Sequence, residues 1–250
     1  VVTYSAVHDL FINERDIRVY SNGSGTPVLM LHDLGTSAAT FENLTTPLVH
    51  ADRELVAVDL PGSGWSDPAP GADLPSFVQH LAMVFADLGS EPIDLLGHGF
   101  GGYLAASLAA RYPQLIHRLV LVEPTAPPRS GPAASGRMTP SMAFTGAVTT
   151  LRRGKLRQNL QGFARAKLLL DQLATSDPAW WESLARITAP TMVMGSGAAD
   201  FGERAILDLI AATIPDAVRA TVAGGKRPHS SSPVAFSAAI LEFFGQTSRH

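Results

Sequence analysis

The segment Pro92-Ile93-Asp94-Leu95-Leu96-Gly97-His98-Gly99-Phe100-Gly101-Gly102 decides the fold. Pro92–Leu96 is short and mostly apolar, the pattern of a buried strand. It runs into a glycine-rich hexamer, and an Ala/Leu-rich helix follows to about Tyr112. The glycine-rich hexamer is the turn between the two.

Outward from this turn the chain alternates between strand and helix patterns. Phe11–Asn13 and Ile17–Tyr20 read as a hairpin whose loop is Glu14-Arg15-Asp16. Val28–His32 and Leu55–Asp59 read as buried strands, with a helix over Phe41–His50 between them. A helix from Pro75 presents Phe77, Leu81, Val84, Phe85 and Leu88 on one face. Further on, strands over Leu119–Val122, Thr191–Met194 and Val218–Val222 alternate with helices over Glu203–Thr213 and Val234–Phe244. This rhythm predicts an α/β fold with a mostly parallel sheet covered on both faces. It breaks at Pro124–Pro140, rich in Pro, Gly, Ser and Ala, followed by helical, amphipathic sequence to about Leu184. Residues 125–184 are expected to form a short helical lid, inserted into a core made of 1–124 and 185–250. Such an insert lies at the sheet edge where open α/β sheets keep their sites.

A chain of 250 residues fits one domain with a small insert. With 46% hydrophobic and 16% charged residues it buries a large core, which excludes disorder as the main state. A net charge of −3 argues against a nucleic-acid partner. No apolar run approaches the about 20 residues that span a bilayer, and Val1–Asp9 shows no signal-peptide pattern. No membrane partner is therefore expected, and the expected location is cytoplasmic. The absence of cysteine removes disulfides, thiolate metal sites and a thiol nucleophile together. Neither metal nor cofactor is expected.

In this order and spacing, four segments resemble the α/β-hydrolase superfamily over nearly the whole chain. Val28-Leu29-Met30-Leu31-His32-Asp33-Leu34-Gly35 looks like the strand and loop that supply half of an oxyanion hole. Asp59-Leu60-Pro61-Gly62-Ser63-Gly64-Trp65-Ser66-Asp67 is similar to the family's Asp-x-x-Gly-x-Gly-x-Ser-Asp loop. Gly97–Gly102 stands where the nucleophile elbow Gly-x-Ser-x-Gly belongs. Pro190–Met194 and Val222-Ala223-Gly224-Gly225-Lys226-Arg227-Pro228-His229 look like the last strands and the histidine loop.

The chemistry departs from what the resemblance implies. The elbow position is Gly99, which has no side chain to attack with. Lys226 falls on the catalytic histidine, and His229 three residues later; a shifted register would make His229 the base instead. Asp33 replaces the usual glycine after His32. A desolvated lysine can serve as base or form a Schiff base, so Lys226 is expected to be the base or electrostatic element, with Asp33 its partner. The N–H groups of Leu34 and Phe100 are expected to polarise a carbonyl. The acid is either Asp200 or Glu123, each also readable as a solvated loop carboxylate. His32, His98 and His229 are expected at the pocket. Asp59 reads as a structural group that satisfies loop N–H groups.

From Pro124 to Leu170 stand Arg129, Arg137, Arg152, Arg153, Lys155, Arg157, Arg165 and Lys167, with no Asp or Glu. A solvated helix face accounts for them. So does recognition of an anionic group, such as a carboxylate, phosphopantetheine, coenzyme A or an acidic carrier protein. Met138, Met142, Phe144 and Phe163 would line an apolar pocket beneath. The leading expectation is an enzyme for a small apolar carbonyl or polyketide-like compound, without an acyl-enzyme: cyclisation, isomerisation, or a lyase or decarboxylase step. An inactivated esterase or lactonase and a non-catalytic binding protein are the alternatives.

Overall fold

The computed structural model describes residues 4–69, 71, 73–89, 91–131 and 166–245. The strands are β1 (Ala6–Ile12), β2 (Arg15–Asn22), β3 (Thr26–Leu31), β4 (Arg53–Val58), β5 (Ile93–His98), β6 (Ile116–Val122), β7 (Thr191–Ser196) and β8 (Ala217–Val222). They form one sheet in the order β1-β2-β4-β3-β5-β6-β7-β8. The pairs β1–β2 and β2–β4 are antiparallel, and every pairing from β4 onward is parallel. The sheet is thus mostly parallel, with an antiparallel hairpin at one edge.

Strands β3, β5, β6 and β7 are buried along nearly their whole length. Both of their faces are covered, which is why they read as continuous apolar runs. Over one face lie α2 (Leu74–Leu88), α3 (Phe100–Arg111), α4 (Pro178–Ser183) and α5 (Phe201–Thr213). Over the other lie the 3-10 segment Ala38–Leu44, α1 (Thr45–His50) and the C-terminal helix Pro233–Gly245. Phe100 anchors the first layer and Phe41 and Phe236 the second, all fully buried. Each is worth ~1.5–3 kcal/mol in apolar surface removed from water.

Two details differ from the expectations. The hairpin loop is not Glu14-Arg15-Asp16. The turn is Asn13-Glu14, with φ 51° and 61°, and Arg15 and Asp16 pair with Ile12 and Phe11. Two central residues of positive φ suit the twist of a tight hairpin. The charged pair fits at the start of β2 because both residues are exposed there and pair only with the edge strand β1. A short helix, Pro228–Ser231, also precedes the last one.

The loops that matter leave the sheet side by side. From β3 the chain turns to β4 on one side, and from β4 it crosses to β5 on the other. Leu31 and Gly97 are register partners at the C-terminal ends of β3 and β5. The loops after these two strands therefore open a crevice between them, the switch point at which open α/β sheets bind ligands.

Of the expected lid, residues 132–165 lie outside the described residues, and with them Met138, Met142, Phe144, Phe163, Arg137, Arg152, Arg153, Lys155, Arg157 and Arg165. On its far side, Trp180 and Trp181 fasten the chain to the core. Trp180 stacks on Tyr103 and donates its indole N–H to Ser107 Oγ at 3.0 Å. Trp181 donates to the Pro127 carbonyl at 2.9 Å. Burial raises the Tyr103 phenol to about 12, so it stays neutral.

Candidate active site

Asp33 follows directly on β3 and His32. Its Oδ1 accepts the N–H of Leu34 and the N–H of Phe100, each at 2.8 Å. Phe100 is the first residue of α3, so the positive end of that helix faces the carboxylate. The two N–H groups expected to polarise a substrate carbonyl are thus both taken by the chain's own Asp33. Removing a carboxylate from such donors leaves them open; leaving it there blocks any developing oxyanion from the same position.

Gly99 is the residue between β5 and α3, with φ 56° and ψ −117°. A Cβ built on it would lie 2.2 Å from Asp33 Oδ1, 2.3 Å from its Cγ and 2.8 Å from Oδ2. The Asp33 carboxyl fills the space that a side chain at position 99 would need.

Three histidines expected at the pocket are instead buried, and none is among the residues that line the cleft at Leu34 and Phe100. His32 Nε2 accepts the Leu60 N–H at 3.0 Å, which leaves the proton on Nδ1 to donate to the Asp33 carbonyl at 2.8 Å. Burial lowers its pKa and keeps it neutral. His98 Nε2 donates to the Lys226 carbonyl at 3.2 Å. Its ring meets His229 edge-on, with centroids 4.7 Å apart. His229 also packs against Phe41 and Phe236 and bonds Thr40 Oγ1 at 3.1 Å. Burial first, then His98 and Arg227, push it down to about 3. An imidazole that resists protonation this strongly is a poor general base at neutral pH. Asp59 is structural: fully buried, it accepts from Ala38 N–H and Trp65 N–H at 2.8 Å and from Tyr20 Oη at 3.1 Å.

Lys226 does not pair with Asp33. Its ammonium bonds Glu203 on the first turn of α5, and the side chain is 58% exposed. Its pKa is raised, chiefly by that bond, with Glu123 and Asp200 contributing at longer range. The expected desolvated lysine is therefore a solvated, charged one. Neither candidate acid bonds it. Asp200 caps α5, accepting the Glu203 N–H at 2.9 Å. Glu123, at φ 45°, accepts the Ser196 N–H at 2.6 Å and so closes the end of β7. Glu203 was not among the expected site residues. The Asp200-x-x-Glu203 spacing is a capping-box pattern, a signal for a helix start and not for a partner of Lys226.

Leu34 and Phe100 line a cleft together with Leu60, Ser63, Phe77 and Leu169, with about 480 Å³ of empty space including its open mouth. It is largely apolar, and its polar element is the loop Leu60–Ser63. Among the described residues no group of three or more His, Asp or Glu is placed to hold a metal, and no helix is long and apolar enough to cross a membrane.

Comparison with known proteins gives a consistent result. The chain is 32% identical to 2-hydroxy-6-oxo-2,4-heptadienoate hydrolase of Pseudomonas putida over 111 residues, 43% of this chain and 40% of that protein's length. It is 28% identical to polyketide synthase ThaQ of Burkholderia thailandensis over 92% of this chain and 12% of the synthase. The chain thus spans well under two thirds of either relative. A crystallised hydrolase from Pseudomonas aeruginosa superposes with a TM-score of 0.75 at 23% identity, covering 97% of this chain and 99% of its own. The family model described as alpha/beta hydrolase fold matches residues 26–162, more than half of the 250. With the sheet order and the β5–Gly99–α3 turn in place, the chain belongs to the α/β-hydrolase fold family.

Proposed function

We propose that this protein processes a small, largely apolar carbonyl compound without forming an acyl-enzyme, and that the Asp33 carboxylate is its acid–base group. The observation that carries the reading is the position of that carboxylate. It is held by two N–H groups at 2.8 Å, in the space a nucleophile's side chain would fill. Its Oδ1 is fixed by these bonds, and Oδ2 is the oxygen left to take a proton. Because the N–H pair is occupied, the substrate must carry its own stabilisation. A carbon flanked by two carbonyls, as in a β-keto chain, has a proton acidic enough to be moved without a separate oxyanion hole. The polyketide synthase relative supports this substrate class. So does the basic stretch Arg129–Lys167, suited to an anionic handle such as phosphopantetheine or to an acidic carrier protein. Isomerisation and cyclisation are the steps that one positioned carboxylate can serve.

The second reading is a lapsed hydrolase that keeps its cleft for binding. It is favoured by the number of polar groups held in structural bonds: His32, His229, Glu123 and Asp200. One experiment separates the readings. The protein is incubated in D2O with β-keto thioesters of graded chain length, and exchange at C2 is followed by proton NMR beside p-nitrophenyl ester hydrolysis. Exchange well above buffer, lost by ~10²–10⁴-fold in Asp33→Asn, with no ester hydrolysis, is the expected result. Binding without exchange supports the lapsed hydrolase. Ester turnover with covalent fluorophosphonate labelling overturns both.

A further inference from the structure

We infer that Gly99 is a positioning residue for Asp33: the missing side chain at 99 admits the Asp33 carboxylate to the Leu34 and Phe100 N–H groups, so positions 33 and 99 form one exclusive pair. The inference concerns the proposed acid–base group and rests on that reading for its chemical meaning, but its geometry stands without it.

The neighbouring glycines show why Gly99 is a special case. A Cβ on Gly97 would lie 2.3 Å from the Gly101 carbonyl oxygen, and one on Gly101 would lie 2.1 Å from the Leu31 carbonyl oxygen. A Cβ on Gly102 would meet Pro124 Cα at 2.9 Å. Those three glycines are demanded by backbone, because α3 lies directly on β3, on its own turn and on the loop at Pro124. At Gly99 the three nearest atoms are all carboxyl atoms of Asp33, at 2.2, 2.3 and 2.8 Å. The obstacle there is a side chain that rotation can remove. A side chain at 99 and a carboxylate in the N–H pair therefore exclude each other. Restoring a serine at 99 alone gives no hydrolase-type elbow, even with Lys226→His beside it, because Asp33 contests both the serine's space and the donors. The pair must change together, as D33G with G99S.

The test compares Gly99→Ala, Gly99→Ser, Asp33→Gly and the double variant Asp33→Gly/Gly99→Ser by thermal unfolding and ¹H–¹⁵N NMR. An amide bonded to a carboxylate resonates downfield. Leu34, remote in sequence from position 99, is the clean reporter. Its amide is expected to move upfield in both Gly99 variants, toward its position in Asp33→Gly. The backbone strain at φ 56° is common to Gly99→Ser and the double variant and cancels between them. The double variant is therefore expected to melt above Gly99→Ser, or to fold where Gly99→Ser does not. A Leu34 amide unmoved in the Gly99 variants, a double variant at or below the additive melting point, or a double variant that does not fold overturns the inference. None of these readouts uses turnover. Loss of proton exchange as the function would thus leave the coupling of 33 and 99 standing, and the reverse also holds.

Discussion

The ammonium of Lys226 is bonded to Glu203, not to Asp33. Glu203 stands in the first turn of α5, itself capped by Asp200, so the lysine is held at the start of that helix. The pair is partly exposed, and exposed pairs contribute little, about 0–1 kcal/mol. Lys226 has a raised pKa, so whatever the pair contributes is present through neutral pH and lost only above the lysine's ordinary value of 10.5. Lys226→Met is expected to leave the thermal midpoint at pH 7 almost unchanged and to leave Asp33-dependent turnover intact. A collapse of turnover in Lys226→Met with the fold preserved would return the lysine to the chemistry and sink the assignment to Asp33.

His229 supplies a pH dependence that is independent of the crevice. It is fully buried, with Nδ1 unpartnered, and the groups around it are His98, Arg227, Thr40, Phe41 and Phe236. Its folded pKa of about 3 lies below the ordinary 6.5, so the unfolded chain binds the extra proton between these values. Stability is then fully present above about pH 6.5 and falls as the pH drops, by at most about 1.4 kcal/mol per unit for this one group. Urea unfolding from pH 7.5 to 5 should show a shallower slope for His229→Phe than for the unsubstituted chain. Equal slopes would mean that other groups carry the acid sensitivity.

The sheet was legible because its central strands are covered on both faces, and such strands leave unbroken apolar runs like Leu119–Val122. The hairpin was less so. Arg15 and Asp16 look like loop residues, but they open β2 where it pairs only with the edge strand β1, and both are exposed there. At the site, the turn that holds Gly99 and Phe100 was legible in the strand–turn–helix pattern, and Leu34 in the resemblance of Val28–Gly35 to an oxyanion-hole strand and loop. The partner of Asp33 did not. Pairing it with Lys226 used charge alone, whereas two N–H groups within 2.8 Å already satisfy that carboxylate. Glu203, 23 residues from Lys226, shares a site with it only through the packing of α5 beside β7 and β8, which no local pattern encodes. The same limit hid the cleft: Leu60, Phe77 and Leu169 come from three separate elements.

Asp94 is the buried charge on which the opposite end of the sheet depends. Its side chain is wholly inaccessible and accepts from Arg53 at 2.6 Å and from His117 Nδ1 at 2.8 Å. Arg53 also donates to the Phe244 carbonyl at 2.6 Å and lies over the Phe244 ring. The network thus pins the starts of β4, β5 and β6 to the C-terminal helix, at the end of the sheet away from Asp33. Removing Asp94 leaves the mostly buried Arg53 guanidinium without its counter-charge, and breaking a buried pair in this way costs up to about 3–5 kcal/mol. Asp94→Ala is expected to lose stability on that scale in urea unfolding while the Leu34 amide signal stays in place. Arg53→Met/Asp94→Leu removes both charges and is expected to lose much less than the sum of the single changes. An additive double variant would show that the pair contributes through independent packing and not as a buried ion pair.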